Sequence, residues 1–479
     1  MNNSQPFPKK ELLYWGLGFA LFQAVAIAFE AYYFSLIPFA LFAFYLAIYR
    51  LEWIWFFTVA CTPISINLEQ LEIAKVGMYL PTEPIIAGLL ILMIFKIISG
   101  KSVSRNIFGH PMTYIIGVYL LWMFFTSITS EFPLVSFKFM ATRLWFISGF
   151  YLIGSQIFEN PNKLKTFVAA YMTPLMFVIG YTVFRHSQFN FDKQSAHWVM
   201  EPLFKDHTSY GAVLALFYPV SFASLFWRKK NALITFLTYA SFLILTIGLV
   251  LSYTRAAWLS VAIAGVVWIL IIMRVKPKTI VWSSLALGLV LLFTWGDIQQ
   301  TLGRNKQESS DKLDEHVSSI SNVSSDASNL ERLNRWHCAL EMFNRRPITG
   351  WGPGTYQFVY APFQRSKDRT IISTNNGDGG NAHSEYLGPL AEEGILGLLT
   401  ISAIVIYMIH LSFKLIYSIK EKELKNMVIA VFLGLLTYFI HGTLNNYLDT
   451  DKASVPVWSF LAFLIAVDLH QKASAKSLT

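Results

Sequence analysis

Residues 232–251 read ALITFLTYASFLILTIGLVL, an apolar run from Ala232 to Leu251 without one charged side chain. A helix gains about 1.5 Å per residue, so roughly 20 apolar residues match the hydrocarbon core of a bilayer. The stretch predicts a transmembrane helix, and it decides the fold because the same pattern recurs along the chain. Comparable runs occupy 12–29, 32–49, 53–66, 83–99, 112–129, 139–158, 164–184 and 208–227 before it. After it come 256–273, 279–295, 395–416, 427–447 and 455–469. The run 53–66 is short and the first pair is tightly joined, so about 12–14 spans are predicted.

Composition agrees. Hydrophobic residues make up 54% of the 479 residues and charged ones only 14%, and the mean hydropathy is +0.46. Soluble domains carry roughly 25% charged residues, and the deficit follows if most of the surface faces lipid. Barrel strands would alternate over segments of about 10 residues, whereas these runs are longer and unbroken. The expected class is an all-α polytopic membrane protein. The net charge of +9 needs no nucleic acid as partner, because Lys and Arg gather in short connections as the positive-inside rule requires. Cys61 and Cys338 lack the spacing of a disulfide framework or a metal site.

The basic clusters set an orientation. Lys9-Lys10, Arg50, Lys96 with Lys101 and Arg105, Lys163 with Lys165, and Arg228-Lys229-Lys230 fall on one side. Arg274 with Lys276 and Lys278, Lys414 with Lys420, Lys422 and Lys425, and Lys472 with Lys476 follow them. Both termini are then expected in the cytoplasm, with no cleavable signal and the first helix as its own insertion signal.

One long polar stretch interrupts this pattern and divides the chain into an N-terminal bundle (1–296), a large extracytoplasmic loop (297–394) and C-terminal helices with a tail (395–479). Its first part, 297–328, is rich in Ser, Asp, Glu, Lys and Asn and reads as flexible. From Asn329, Leu330, Leu333, Trp336, Leu340 and Phe343 fit a helical stripe, with Ser328 or Asn329 as the N-cap. Pro347 and the glycines through Gly354 end that helix, and a second short one is expected from Thr355 to about Phe363. The polar, Gly-rich tract 365–380 leads to His383, placed in the first turn of a third helix capped by Asn381 or Ser384. A helix N-terminus disfavours imidazolium, and a neutral histidine suits a general base. Gly394 and Gly397 mark the return to the membrane.

Four local patterns stand around this loop. The first is Leu251-Ser252-Tyr253-Thr254-Arg255-Ala256-Ala257-Trp258. The second joins Arg332-Leu333-Asn334-Arg335-Trp336 to Arg346-Pro347-Ile348-Thr349-Gly350-Trp351-Gly352-Pro353-Gly354-Thr355-Tyr356. The third is Ala382-His383-Ser384-Glu385-Tyr386-Leu387 with Ala391-Glu392-Glu393-Gly394-Ile395-Leu396-Gly397, and the fourth Phe204-Lys205-Asp206-His207-Thr208-Ser209-Tyr210-Gly211. In this order around one loop, they resemble the O-antigen ligase and polymerase family of bacterial membrane glycosyltransferases, most clearly over 204–447. The family often has Asn after the loop histidine, where this chain has Ser384.

The resemblance implies a GT-C-type transferase of the bacterial cytoplasmic (inner) membrane, with its active site facing the periplasm. It would take a glycan from an undecaprenyl-diphosphate-linked donor and pass it to an acceptor hydroxyl, most simply on a lipid A-core, without a cofactor. His383 would activate the acceptor, while Arg255, and Arg332 or Arg335, would bind the diphosphate. The chemistry is compatible: fixed cations aimed at a developing diphosphate lower the barrier, and arginine binds phosphate oxygens in pairs. No metal is expected, and no His/Cys cluster calls for one.

Plainer readings stand beside each residue. Arg255 could snorkel to lipid headgroups, and His383 could be a capping residue. Arg332 and Arg335, three apart, could form a solvated helix face. Arg345 and Arg346 could favour a helix C-terminus, with Arg346 as a further diphosphate contact. Arg143 is either a second lipid-phosphate ligand or one half of a structural pair. Trp351 and Tyr356 read as core under a turn, His207 as a helix-start contact, and His441 as a buried hydrogen-bonded residue. Rival functions are a repeat-unit polymerase, a protein O-oligosaccharyltransferase, and a polysaccharide flippase. Against the last, no internal repeat is visible and the polar residues gather at one loop.

Overall fold

The structure is a computed structural model and describes residues 9–31, 34, 37, 49–71, 77–99, 105–227, 231–276, 278–279, 327–365 and 380–476. The expected spans 32–49 and 279–295, the tract 297–328 short of its last two residues, and the interior of 365–380 lie outside them. The chain divides into 1–57 and 58–479. In the first unit, α1 (Lys9–Ala28) exposes Leu17, Leu21, Phe22, Val25 and Ile27, the pattern of a lipid-facing helix. Gln23 Nε2 donates to the carbonyl of Phe34 at 3.0 Å.

The run expected as a span at 53–66 is shorter in the structure: α2 (Leu51–Cys61) gives way to a 3-10 turn, Thr62–Ile64. Pro63 in that turn lacks the N–H that a continuing helix would use. Ile66–Asn67 then pairs antiparallel with Tyr79–Leu80, Ile66 opposite Leu80. The remaining bundle is helical: α3 (Thr82–Ile98), α4 (Pro111–Ile128), and α5, which runs from Pro133 to Phe146 and continues through a π-helical turn, Ile147–Leu152, to Ile157. They are followed by α6 (Lys163–Ser187), α7 (His207–Ser224), α8 (Ala232–Leu251) and α9 (Arg255–Ile272). The polar loop supplies α10 (Ala327–Arg345) and α11 (Tyr356–Val359), and the chain ends with α12 (Leu387–Ser418), α13 (Lys422–His441) and α14 (Asp451–Lys476).

Among the described residues, seven helices are long and apolar enough to span a membrane: α4, α6, α8, α9, α12, α13 and most of α14. Burial sorts them. In the apolar window of α14, 89% of residues are buried, against 17% in α8, so α14 is the pillar and α8 turns its side chains to lipid. Lipid tails are as apolar as leucine, so close packing and hydrogen bonds between helices hold such a bundle. Gly434 of α13 shows the first device: a Cβ there would meet the Leu216 carbonyl oxygen of α7 at 2.6 Å. Thr437 Oγ1 donates to the Ala215 carbonyl at 3.1 Å, and Tyr171 OH of α6 to the Lys452 carbonyl of α14 at 2.7 Å.

Basic residues collect at one end. There the buried Asp468 of α14 accepts from Lys414 of α12 at 2.6 Å and Lys472 at 2.7 Å, and meets His110 Nε2 at 3.3 Å. Lys165 pairs with Glu423 at 2.6 Å. The loop helices and the histidine-arginine cluster occupy the other end. Two boundaries there differ from the sequence reading. The run 427–447 stops as a helix at His441, and α14 begins at Asp451. Residues 442–450 are therefore a connection at the loop end, and the site uses it.

Candidate active site

The loop fold is built from its glycines. Gly350, Gly352 and Gly354 all have left-handed φ, at 64°, 112° and 73°, a region open to glycine at no steric cost. Close approach fixes two of them further. A Cβ on Gly352 would lie 1.9 Å from Ser130 Oγ, and one on Gly350 2.3 Å from the Glu392 backbone. The turn can thus lie flat on the 391–395 segment: Trp351 N donates to Ala391 O at 3.2 Å, Gly352 N to Glu392 O at 2.7 Å, and Ile395 N to Pro347 O at 2.9 Å. Gly394, at φ 70°, breaks α12 there as the sequence predicts. Trp122 Nε1 of α4 ties the break to the bundle by donating to Glu393 O at 2.8 Å.

Beneath the turn sits a small apolar core of Cys338, Ala339, Met342, Tyr356, Val359, Tyr360, Ala382 and Ala391, with Trp351, Phe363 and Leu387 against it. Trp351 and Tyr356 are thus packing residues, as the plainer reading has it. Trp351 Nε1 donates to Met342 O at 2.9 Å and Tyr356 OH to Arg335 O at 2.7 Å.

α10 differs from the sequence reading in two ways. It begins at Ala327, so Ser328 and Asn329 lie inside it rather than capping it. Its buried face is also not the leucine stripe: Leu340 is exposed, while Glu331, Asn334, Arg335, Cys338, Ala339 and Met342 are buried. That spacing is helical, but half of the face is polar. Buried polar groups need partners, and these have them. Arg335 Nε donates to Glu331 Oε1 at 2.6 Å, the guanidinium lies 4.1 Å from the Tyr360 ring centroid, and Asn334 Nδ2 donates to Gln364 Oε1 at 3.1 Å. One group is left over: Arg335 Nη1 is buried with no acceptor among the described residues.

His383 lies before α12, not in its first turn. It sits on a bend with φ 48°, its N–H donating to Asn381 Oδ1 at 3.1 Å and its carbonyl accepting from Trp336 Nε1 at 3.3 Å. Ser384 Oγ instead accepts from Tyr386 N and Leu387 N, both at 3.3 Å, and opens the helix. Burial pushes the imidazole down to a pKa of about 4, with Arg332 and Arg335 pushing the same way and Asp206 and Glu331 opposing. The neutral histidine expected from the sequence is present, but burial and two arginines make it so rather than a helix dipole.

The far wall comes from α7 and the 442–450 connection. Asp206 caps α7, accepting from Ser209 N and Thr208 Oγ1, both at 2.7 Å. The His207 ring stacks on that of His197 at 4.2 Å, and its carbonyl accepts from Thr254 Oγ1 at 2.8 Å. This last bond brings the Ser252–Arg255 turn against the start of α7, where a Cβ on Gly211 would lie 2.6 Å from Thr254 Oγ1. Arg255 opens α9 half-buried at the same end. Tyr447 OH meets Thr208 Oγ1, and the buried His441 Nε2 pairs with Asn445 Nδ2 at 3.0 Å.

Two expected diphosphate ligands contact the protein itself, though Arg143 Nε, like Arg335 Nη1, is buried without a partner among the described residues. Arg143 is buried, donates Nη1 to the Leu448 carbonyl and lies 4.9 Å from the Phe139 ring centroid. Arg346 pairs with Glu131 at 2.8 Å on the surface and lies 4.1 Å over Trp351. The sequence reading quotes Asp206 and Glu385 within motifs without giving them a role, and takes Tyr447 as the end of a span. The polar run Asn445-Asn446-Tyr447, read as the end of a span, was the available signal for the connection.

Residues 240–402 match the family described as O-Antigen ligase. The match runs from α8 through the loop to the part of α12 beyond Gly394, and takes in Arg255, Arg332, Arg335, Arg346 and His383. The resemblance read from the motifs is supported over residues 240–402, which match an O-antigen ligase-type domain. No curated protein matches the chain.

Proposed function

We propose, with an O-antigen ligase-type domain as the premise, that this protein is a membrane glycosyltransferase of the ligase kind. It moves a glycan from an undecaprenyl-diphosphate-linked donor to a hydroxyl of a lipid A-core acceptor. The reaction takes place at the loop end of the bundle, on the periplasmic face of the inner membrane, with both termini in the cytoplasm. The observation that carries this reading is the placement of the half-buried His383 bend against α10, the helix that carries Arg332 and Arg335, whose Trp336 Nε1 donates to the His383 carbonyl at 3.3 Å.

In the reaction the acceptor oxygen bonds to the anomeric carbon of the donor sugar while the bond from that carbon to the diphosphate oxygen breaks. The electron pair leaves with the diphosphate, and the hydroxyl proton passes to the imidazole. Arg332, Arg335 and Arg255 stabilise the departing charge; Arg335 Nη1, buried without a described acceptor, is a ready donor for a phosphate oxygen. The same arginines hold back the base until the donor arrives. Without diphosphate they make imidazolium costly; bound diphosphate offsets their charge and raises the histidine pKa, so the base strengthens when the leaving group is in place.

The test is His383→Ala and Arg255→Ala in cells, with membrane insertion verified and surface glycans analysed. Loss of attached glycan with accumulation of long carrier-linked chains is the expected result. Accumulation of single carrier-linked repeats would make the enzyme a polymerase, and unchanged profiles in both variants would remove the catalytic assignment.

A further inference from the structure

One buried carboxyl group two residues beyond His383 has no part in the chemistry above, yet ties the His383 bend to two other parts of the molecule. Glu385 is 4% exposed. Its Oε1 accepts from Tyr438 OH at 2.6 Å, Tyr447 N at 2.7 Å and Leu448 N at 3.0 Å, and its own N–H donates to the Gly442 carbonyl at 2.8 Å. These partners lie on α13 and the 442–450 connection. Gly442 leaves room for the contact: a Cβ there would lie 3.0 Å from Glu385 Cγ. Next to it, Tyr386 OH donates to the Phe439 carbonyl at 3.2 Å. The His383 bend is thereby stapled to the top of α13.

The staple reaches across the site. Tyr447, whose N–H Glu385 holds, meets Thr208 through its hydroxyl, and Thr208 in turn donates to Asp206. Leu448 is held from both sides, its N–H by Glu385 and its carbonyl by Arg143. A buried carboxyl group with three donors on one oxygen fixes the geometry of the elements that supply them.

We propose that Glu385 is the positioning residue of the site, setting the separation between His383 and the Asp206–Thr208–Tyr447 wall, with Arg143 holding the same connection through the Leu448 carbonyl. The inference rests on the reading of His383 as the base. It gives Arg143 a role in holding the base, not the diphosphate. A displacement of about 1 Å at a base can cost on the order of 100-fold in rate, while the arginines that bind the donor stay where they are.

The experiment compares kcat and KM for donor in wild type, Glu385→Gln and Glu385→Asp, in purified protein reconstituted in lipid. Glu385→Gln keeps the side-chain length and loses the charge; Glu385→Asp keeps the charge and withdraws it by one methylene. Both are expected to lower kcat by about 10–100-fold with KM within about twofold. Arg143→Gln combined with Glu385→Gln should lose less than the product of the single losses. If Glu385→Gln does not insert, Tyr438→Phe, which removes one donor of three, is expected to lower kcat by about threefold to tenfold at unchanged KM. Wild-type kcat in the folded variants, or a loss confined to KM, would overturn the proposal. A second readout separates it from the reading of His383. Acylation of the His383 ring by diethyl pyrocarbonate should be faster in Glu385→Gln whether or not His383 is the base. If His383→Ala stays active while acylation speeds up, the catalytic reading fails and the staple stands; unchanged acylation removes the staple.

Discussion

The two ends of the bundle both bury charge, and they do it in opposite ways. At the basic end Asp468 is surrounded by His110, Lys414 and Lys472, each within 3.3 Å. Every oxygen of that carboxylate has a partner, and the two lysines are half-exposed on long stems that can reach water. At the loop end Arg332 and Arg335 act on a histidine that burial keeps neutral, and Glu331 and Asp206 are already bonded elsewhere. Arg335 Nη1 and His441 Nδ1 are buried there without described partners. The closed network stabilises the fold; the open one, with a buried arginine donor left over, is where the proposed function seats the diphosphate.

Removing the donors is the strongest way to break this contrast. Arg332→Ala with Arg335→Ala should lower transfer by about 1,000-fold and Arg335→Lys alone by about 100-fold, measured as rate of transfer from a lipid-diphosphate-linked glycan. Loss of less than about threefold in the double variant would make the loop-end cations as structural as those around Asp468.

The pH profile sharpens it. The base works when neutral, so activity falls as the pH drops through the His383 pKa. For the free enzyme that limb in kcat/KM should lie at about 4, below the ordinary histidine value of about 6.5. In kcat, with diphosphate bound, it should lie higher. Arg332→Gln should raise the kcat/KM limb, because Arg332 is one of the charges holding the imidazole down. A limb at about 6.5 in all three cases would mean that neither burial nor the arginines act on the base, and a limb that Arg332→Gln leaves unmoved would remove the arginines' share.

The smallest effect on activity belongs to the closed end. Asp468→Asn should lower stability in detergent by about 1–3 kcal/mol and leave kcat within about twofold, read by thermal unfolding beside transfer rate.

Much of this was legible in the sequence and some was not, for physical reasons. Apolar length alone predicts the helical membrane class, and Gly350 to Gly354 and Gly394 announce the turn and the break, because few other residues fit there. His383, Arg332 and Arg335 carry the resemblance and lie together in the structure. The α10 face was misread because leucine periodicity assumes an apolar core, and this helix buries Glu331, Asn334 and Arg335 around a site instead. Arg143 reads as a ligand or a partner with equal ease, because its acceptor, the Leu448 carbonyl, is a backbone group more than 300 residues away. Glu385 stands in a quoted motif but takes no role from sequence for the same reason: two of its three donors are backbone amides at and just beyond the end of an expected span.

The most direct test of the account is single-turnover transfer by lipid-reconstituted wild type and His383→Gln, each preloaded with a lipid-diphosphate-linked glycan, with donor affinity measured in the same preparations. The account predicts donor affinity within about threefold and a transfer rate lower by at least about 100-fold in the variant. Transfer at the wild-type rate would contradict it.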